Sequence, residues 1–336
     1  MARIPLTSRD AAAPIGSARD GGTIPSSQLA FHPAYRTIDY VKRRQTQVTA
    51  RRIPRWAAGL LSDFAAERPP VVSLRDIAER LRRVELHRDP AVVVEELQRL
   101  GWLRPTGVRG AWAFLPPGED EPTDPYLNLR SLHATQPERD FYLSGDIAAF
   151  HLGLLDRRPG SLQLWLPDNA PSLPHRLRTT VSTVTLPFPD EPELLLPSAA
   201  QFRRRRLDRL RWASGFNAFG PDALLAQLAC RPSSFTSWFD LVSHLDAFTV
   251  DVETDRIARL LQASPKSAWQ RAAHILDAAG QVNEAQDLFR QRPAGPLAVT
   301  HLGRRMATSP NTRRWSTKYQ VIDSLVRPLI DVVGKA

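Results

Sequence analysis

The chain has 336 residues, of which 42% are hydrophobic, so it is long and apolar enough to form two packed domains and a tail. Its single cysteine, Cys230, excludes an internal disulfide framework and a zinc site built on several thiolates. No apolar run reaches the length of a membrane span and the N-terminus carries no apolar signal segment, so we expect a cytoplasmic protein without a membrane partner.

The formal net charge of +10 is typical of proteins that bind a polyanion. Arginine dominates the basic residues, however, because lysine occupies only four of the 45 basic positions. Such a skew is typical of a GC-rich genome, which encodes arginine wherever a cation is needed. The placement of the arginines is therefore more informative than their number.

Residues 1–50 are rich in Ala, Gly, Ser, Pro and Arg and show no sustained apolar period, which predicts a disordered basic tail. Basic residues cluster towards its end and continue to position 55. Such an arm could settle on DNA phosphates or in a minor groove. The alternatives are a solvated linker and a start codon assigned too far upstream.

Residues 51–117 begin with two patterns of helical period, "RWAAGLLSDFAAER" and "SLRDIAERLRRV". Two prolines at 69 and 70 break the chain between them, and the valines at 71 and 72 favour a short strand. Ser73 stands in the position of an N-cap for the second helix. The residues expected on the buried face of that helix are Leu74, Ile77, Ala78 and Leu81.

The stretch "RDPAVVVEELQRLG" predicts a third helix, with Asp89 as its N-cap, Pro90 at its first position and Gly101 at its left-handed end. Two β-prone runs follow at 102–104 and 111–114, and "TGVRG" between them favours a tight turn. Helix, strand, helix, helix and hairpin in this order predict a winged helix-turn-helix, a DNA-binding fold. Arg109 would then lie at the tip of the wing.

The acidic segment 118–125, "GEDEPTDP", predicts an inter-domain linker. Residues 126–336 predict a mixed α/β domain with a helical C-terminal part, which makes the fold class of the whole chain α+β. "FYLSGDIAAFHLGLLDRRPG" is typical of a strand that leads into a helix, and "SLQLWLP", "VSTVTLP" and "ELLLP" are strand candidates that end at prolines. "GPDALLAQLACRP" and "SAWQRAAHILDAAG" predict helices, whereas "YQVIDSLVRPLIDVVG" fits either a strand or a helix. In the second of the two helices we expect Gly280 as the terminator and a buried face of Trp269, Ala272, Ala273 and Leu276.

The segments "FYLSGDIAAFHLGLLDRRPGSLQLWLP", "GPDALLAQLACRP" and "SAWQRAAHILDAAG", in this order and spacing, resemble those of the AbiEi-type antitoxins of bacterial type IV toxin–antitoxin systems. "RIPRWA", "RDPAVVVEELQRLGWL", "GAWAFLPPGE" and "VVGKA" are most similar to mycobacterial and other actinobacterial members. The resemblance covers about 53–336. It implies an N-terminal winged helix that represses its own operon at inverted repeats in double-stranded DNA. It also implies a C-terminal antitoxin domain, 126–336, that neutralises a nucleotidyltransferase-type toxin encoded next to it.

Backbone N–H groups at the start of the second helix would favour phosphate, and the third helix and the wing would supply further contacts. Glu95 and Glu96 on the outward side of the third helix would repel phosphates, unless they accept hydrogen bonds from cytosine N4. The alternative is that this helix engages DNA only shallowly. The residues that we expect to contact DNA are Ser73, Arg75, Arg88, Gln98, Arg99, Arg104 and Arg109.

The run "RRRRLDRLR" at 203–211 holds six arginines in nine residues. It could contact nucleic acid, match an acidic groove on a protein partner, or simply face water. Under the antitoxin hypothesis, the protein partner is favoured. The residues expected to bind it are Arg203, Arg204, Arg205, Arg206, Arg209 and Arg211.

Catalytic residues, metal ligands and cofactors are not expected. Ser144, His151 and Asp156 suggest a triad, but seven helical residues separate the serine from the histidine by about 10 Å of rise. The acidic residues at 190, 191 and 193 have no lysine nearby to assist a nuclease metal site. Two alternative functions remain open: a metal-dependent nuclease or DNA-processing enzyme targeted by the winged helix, and a one-component regulator whose second domain senses a ligand.

Overall fold

The computed structural model describes residues 51–208, 212–303 and 313–334, and the predicted tail at 1–50 lies outside these ranges. All described residues belong to one compact unit, Val48–Ala336. Helices and strands are mixed throughout it, in agreement with the predicted α+β class. No helix in the described ranges is both long and apolar enough to span a bilayer.

Residues 55–114, which we call the first part of the unit, have the predicted order of helices and strands. Strand β3 lies between β1 and β2 and is antiparallel to both, with Val72 opposite Trp112 and Leu103 opposite Phe114. A 3-10 helix, Arg55–Ala57, precedes these elements. Their bounds are α1 Ala58–Glu67, β1 Val72–Ser73, α2 Leu74–Arg83, α3 Pro90–Arg99, β2 Leu103–Pro105 and β3 Ala111–Phe114.

Local signals set the ends of these helices. Asp89 caps α3 by accepting a hydrogen bond from the backbone N–H of Ala91 at 2.7 Å, and Pro90 is the first helical residue, as predicted. Gly101 follows α3 with a φ of +81°, in the left-handed conformation expected of it. Leu74 was predicted to be buried and is instead 41% exposed. Leu74 is the first residue of the helix. A residue on the apolar face of a helix is buried only where a neighbouring element covers it.

A hydrophobic cluster of its own holds the first part together, and we call it the N-terminal cluster. Phe114 is central to it, because its ring lies 5.3 Å from that of Phe64 and 6.4 Å from that of Trp102. The indole N–H of Trp102 donates to the carbonyl of Arg52 at 3.1 Å. Burial of these large rings contributes about 1.5–3 kcal/mol each. The other buried members are Ala57, Leu60, Leu61, Val72, Ile77, Leu81, Val93, Val94, Leu97 and Leu103.

The segment predicted as a linker, 118–125, is attached to the N-terminal cluster by arginines. The Arg51 guanidinium donates to the carbonyls of Leu115 and Pro116 at 2.8 and 3.1 Å and also to that of Glu119. Arg104 lies 3.6 Å from the carboxylate of Glu121. These contacts hold the acidic segment against the surface of the N-terminal cluster.

The remaining elements form two further three-stranded sheets surrounded by helices within the described ranges. In one sheet β5 lies between antiparallel β4 and parallel β6, and in the other β9 lies between parallel β7 and antiparallel β8. The strands are β4 Tyr142–Leu143, β5 Leu162–Trp165, β6 Val181–Val184, β7 Thr300–Leu302, β8 Arg314–Ser316 and β9 Val321–Asp323. The helices are α4 Leu127–Thr135, α5 Gly145–His151, α6 Pro192–Leu195, α7 Ala199–Arg204, α8 Pro221–Cys230, α9 Trp238–Ser243, α10 Leu245–Thr249, α11 Thr254–Leu261, α12 Lys266–Ala278, α13 Val282–Gln291 and α14 Val326–Val333.

One predicted strand is wrong. The segment "ELLLP" forms the short helix α6, which starts at Pro192 and buries Leu194 and Leu195. A short apolar run has no periodicity that distinguishes a strand from a buried helix, and proline at the first position favours the helix. The C-terminal segment of undecided type contains both a strand, β9, and a helix, α14.

The larger hydrophobic core, which we call the C-terminal cluster, has α8 at its centre. Every residue of α8 except Cys230 is buried, including the polar residues Asp222 and Gln227. Helix α12 buries Trp269, Ala272, Ala273 and Leu276, as predicted from the sequence. The hairpin also contributes, because Val108 and Ala111 belong to this cluster. The two clusters are therefore in contact through the hairpin.

Candidate nucleic-acid and partner interfaces

The start of α2 is a capping box in which Ser73 and Asp76 satisfy each other. The Ser73 backbone N–H and hydroxyl both donate to one Asp76 carboxylate oxygen, at 2.8 and 2.7 Å, and the Asp76 N–H donates to the Ser73 hydroxyl oxygen at 3.2 Å. Ser73 is only 5% exposed, so its side chain is occupied by the cap. The Leu74 N–H donates to the carbonyl of Gly110. Arg75, the next residue, is exposed and forms no hydrogen bond or ion pair with the described residues.

Arg88, Glu96 and Trp56 form a cluster on the surface beside α3. The Arg88 guanidinium lies 4.3 Å above the Trp56 ring and donates to Glu96 at 3.2 Å, and the Trp56 indole N–H donates to the same carboxylate at 3.3 Å. Glu96 is therefore neutralised by Arg88, which removes part of the repulsion that two glutamates on α3 would exert on phosphates. Glu95 remains exposed.

Two further residues of α3 were expected to contact DNA. Gln98 is half-buried, whereas Arg99 is exposed in the last turn of the helix. Arg99 has no hydrogen-bond or ion-pair partner within the described part of the chain. Of the residues predicted on this helix, Arg99 is the one whose charge is free to meet a phosphate.

The hairpin between β2 and β3 is packed at its tip. Val108 is only 5% exposed and belongs to the C-terminal cluster, whereas the adjacent Arg109 is exposed and unpaired among the described residues. The Thr106 hydroxyl closes the turn by donating to the carbonyl of Ala111 at 3.0 Å. Arg104, also predicted to contact DNA, is about half exposed beside Glu121. The hairpin therefore presents one free arginine from a fixed position.

The arginine run divides into structural and exposed residues. Arg205 lies 2.5 Å from Asp251 and donates to the carbonyl of Leu152 at 2.6 Å, and Arg204 lies 3.5 Å from the same aspartate. Arg203 and Arg206 are exposed. Two members of the predicted partner surface, Arg209 and Arg211, lie outside the described residues.

A buried polar network stabilises the segment that carries this run. Asp222 is fully buried and accepts hydrogen bonds from the Arg256 guanidinium at 2.6 Å, from the Gln201 amide at 2.8 Å and from the Glu253 backbone N–H at 2.7 Å. Burial raises the pKa of Asp222, and these donors act in the opposite direction. Because Gln201 belongs to α7 and Arg256 to α11, the network joins the start of the arginine run to the helical core.

The residues considered for catalysis differ in burial and in their contacts. Ser144 is fully buried, and Asp156 is exposed. His151 lies between them in sequence, with its Nε2 atom 2.8 Å from the hydroxyl of Tyr126, and burial lowers the pKa of His151 to about 4. Glu191 pairs with Arg259, while Asp190 and Glu193 are exposed. Within the described residues, no three His, Cys, Asp or Glu side chains are arranged to hold a metal ion.

Comparison with known proteins adds two findings. Residues 143–278 match the family model of the AbiEi antitoxin C-terminal domain. The crystal structure of the RV2827C protein from Mycobacterium tuberculosis is similar, with a TM-score of 0.77 and 44% sequence identity over 84% of this chain and 96% of that chain. No curated protein matches the chain.

Proposed function

The chain belongs to the AbiEi antitoxin family, and we propose that it is the antitoxin of a type IV toxin–antitoxin pair with two binding activities and no catalytic one. An antitoxin acts on a toxin partner, which we propose to be nucleotidyltransferase-like. The observation that carries this proposal is the family match at 143–278. It extends from β4 to the end of α12 and includes the exposed residues Arg203 and Arg206.

The second proposed activity is repression of its own promoter by a winged helix at 51–117. Support comes from the order of α1, β1, α2, α3 and the hairpin, and from the antiparallel sheet that β3 forms with β1 and β2. Arg75, Arg99 and Arg109 are exposed on α2, on α3 and at the hairpin tip, where positive charge would meet the phosphate backbone. Inverted repeats in the promoter would bind two copies of the chain.

Toxin neutralisation is tested by growth of cells that express the neighbouring nucleotidyltransferase-like gene together with this chain. We expect the wild-type chain to restore growth and Arg203→Glu with Arg206→Glu to restore it at least tenfold less well, because reversed charge would repel an acidic partner surface. A matched control is Arg157→Glu with Arg176→Glu, two exposed arginines of the same domain. Failure of the wild type would refute the antitoxin proposal, and equal rescue by both double variants would refute this surface.

A further inference from the structure

A cleft of about 380 Å³ lies where the first part of the unit meets the second. Pro70 and Val71, in the connection between α1 and β1, line one part of it. Helix α4 and the loop between α4 and β4 line another part, and the segment 215–217 completes the lining. Because its walls come from both parts of the unit, an occupant of this cleft would contact both.

Arg139 lines the cleft and is a buried cation without a carboxylate partner. The residue is 8% exposed, and its Nε atom is buried without a hydrogen-bond partner. Its two terminal nitrogens share one acceptor, the carbonyl of Ser172, at 3.4 Å each, which is at the long limit for a hydrogen bond. Arg139 forms no ion pair within the described ranges. Buried charges in proteins are normally paired, whereas this guanidinium lacks a counter-charge.

Two half-buried arginines of the chain show what a complete set of acceptors looks like. Arg256 donates to the carboxylate of Asp222 at 2.6 Å and to the carbonyl of Leu196 at 2.7 Å. Arg271 donates to the carbonyl of Ala229 at 2.5 Å and to a second carbonyl at 2.9 Å. Both guanidinium groups are held by short hydrogen bonds. Arg139 differs from them in having only long ones, and burial lowers its pKa, an effect that the exposed carboxylate of Glu138 only partly opposes.

The rest of the lining includes two aromatic rings and a second cation. Phe141 is buried and Phe216 is half-buried, and the two rings lie 5.6 Å apart. Arg130 lies 5.3 Å above the Phe216 ring and donates to Asp124 at 2.6 Å and to the carbonyl of Ser214 at 3.2 Å, which leaves its Nη1 atom free within the described residues. Asp140 also lines the cleft but is exposed and forms no ion pair with Arg139.

We infer that this cleft is a binding site for a small organic anion, whose carboxylate or phosphate group accepts hydrogen bonds from Arg139 and whose apolar body lies against Phe141 and Phe216. A planar guanidinium with unused donors matches both anionic groups. Clefts of this size, in which aromatic side chains lie beside a few oriented polar groups, are typical of small-molecule sites. The inference requires neither DNA nor toxin binding.

The test is to add benzoate or phenyl phosphate to the full chain. Isothermal titration calorimetry measures binding, and the melting temperature measures stabilisation by the bound anion. Benzamide supplies the same ring without the charge, and inorganic phosphate supplies the charge without the ring. We expect both aromatic anions to bind and to raise the melting temperature. We expect the wild type to bind benzamide and inorganic phosphate at least tenfold more weakly than the aromatic anions. We expect Arg139→Gln to bind the aromatic anions at least tenfold more weakly than the wild type does.

The matched control is Arg157→Gln, an exposed arginine outside the cleft, which should bind the anions as the wild type does. A second variant, Ala134→Trp, leaves Arg139 in place and fills the cleft from α4, so it should abolish binding while the far-ultraviolet circular dichroism stays unchanged. The inference is overturned if neither anion binds at millimolar concentration, or if Arg139→Gln and Ala134→Trp both bind as the wild type does. Because no DNA or toxin is present, this outcome is separate from a failure of the proposed antitoxin function.

Discussion

At the residue scale, His151 shows how a side chain's surroundings decide its chemistry. The imidazole is partly buried against Tyr126, and the cost of burying a charge lowers the pKa of His151 to about 4. The ring is therefore neutral at physiological pH and can accept the hydrogen bond from the Tyr126 hydroxyl. Protonation would remove that acceptor and place a charge between aromatic rings.

This shift predicts a contribution of His151 to the dependence of stability on pH. The pKa is lower in the folded chain than the value of about 6.5 in the unfolded chain, so the unfolded state binds the extra proton and stability falls as the pH drops from 6.5 to 4. Between pH 7 and pH 5, we expect the wild type to lose about 1 kcal/mol more of its free energy of unfolding than His151→Gln, after allowance for solvent screening of a partly exposed ring. Urea denaturation at both pH values measures this difference. Parallel losses in the two proteins would contradict it.

At the element scale, the ends of α3 show how a few residues define a helix. Asp89 satisfies a free N–H group at the start, Pro90 has a backbone angle already suited to the first turn, and Gly101 supplies the left-handed residue that ends the helix. A side chain at Gly101 would meet Arg51 no closer than 3.5 Å, an ordinary contact. The requirement for glycine at this position is therefore conformational and not steric.

A pair of glycine substitutions tests that account. Gly101→Ala should lower the free energy of unfolding by about 1 kcal/mol, because alanine is strained at a φ of +81°. Gly59→Ala, inside α1, should raise it by up to about 1 kcal/mol, since its new methyl group would lie 3.8 Å from Val84 and alanine favours the helix. Chemical denaturation of both variants measures the sign of each change in the free energy of unfolding. The same sign for both would show that local backbone conformation does not govern these positions.

At the scale of the whole molecule, the distribution of arginines matters more than the net charge of +10. Arg51, Arg205 and Arg256 are structural, since each is bound to carbonyls and carboxylates of the chain. Arg88 and Arg104 are paired with glutamates. Of the five arginines proposed for DNA binding, three therefore keep a free charge among the described residues. The hairpin that carries Arg109 is held by Val108 against the C-terminal cluster.

DNA binding should consequently depend on salt less steeply than the net charge suggests. Arg75, Arg99 and Arg109 would neutralise about three phosphates, which gives a log–log slope of about −3 for each bound chain, made steeper by any contact from residues 1–50. Fluorescence anisotropy of the upstream DNA at several salt concentrations measures the slope, and Arg99→Ala or Arg109→Ala should each reduce its magnitude by about one. Arg157→Ala, exposed in the C-terminal part, serves as the control and should leave the slope unchanged. Equal binding to a scrambled duplex would refute sequence-specific repression.

Much of the fold could be predicted because its signals are local. The cap at Asp89, the glycines at 101 and 280 and the buried face of α12 depend on residues within a few positions of each other. The segment "ELLLP" is predicted wrongly because an apolar run of three leucines carries too little periodicity. Leu74 was assigned wrongly because its exposure depends on where neighbouring elements end.

The sequence by itself determined the α+β class, the order of helices and strands in residues 55–114, and the family to which the chain belongs, because caps, prolines, glycines and apolar periods act along the chain. Only the tertiary structure decided which arginines are structural and which are free. Arg51 meets its carbonyl acceptors more than sixty positions away, and Arg205 meets Leu152 across 53 positions. The tertiary structure also left Arg139 without a counter-charge, because no chain segment brings a carboxylate to it among the described residues. Pairing of charges is a property of distances in space, and no local pattern encodes it.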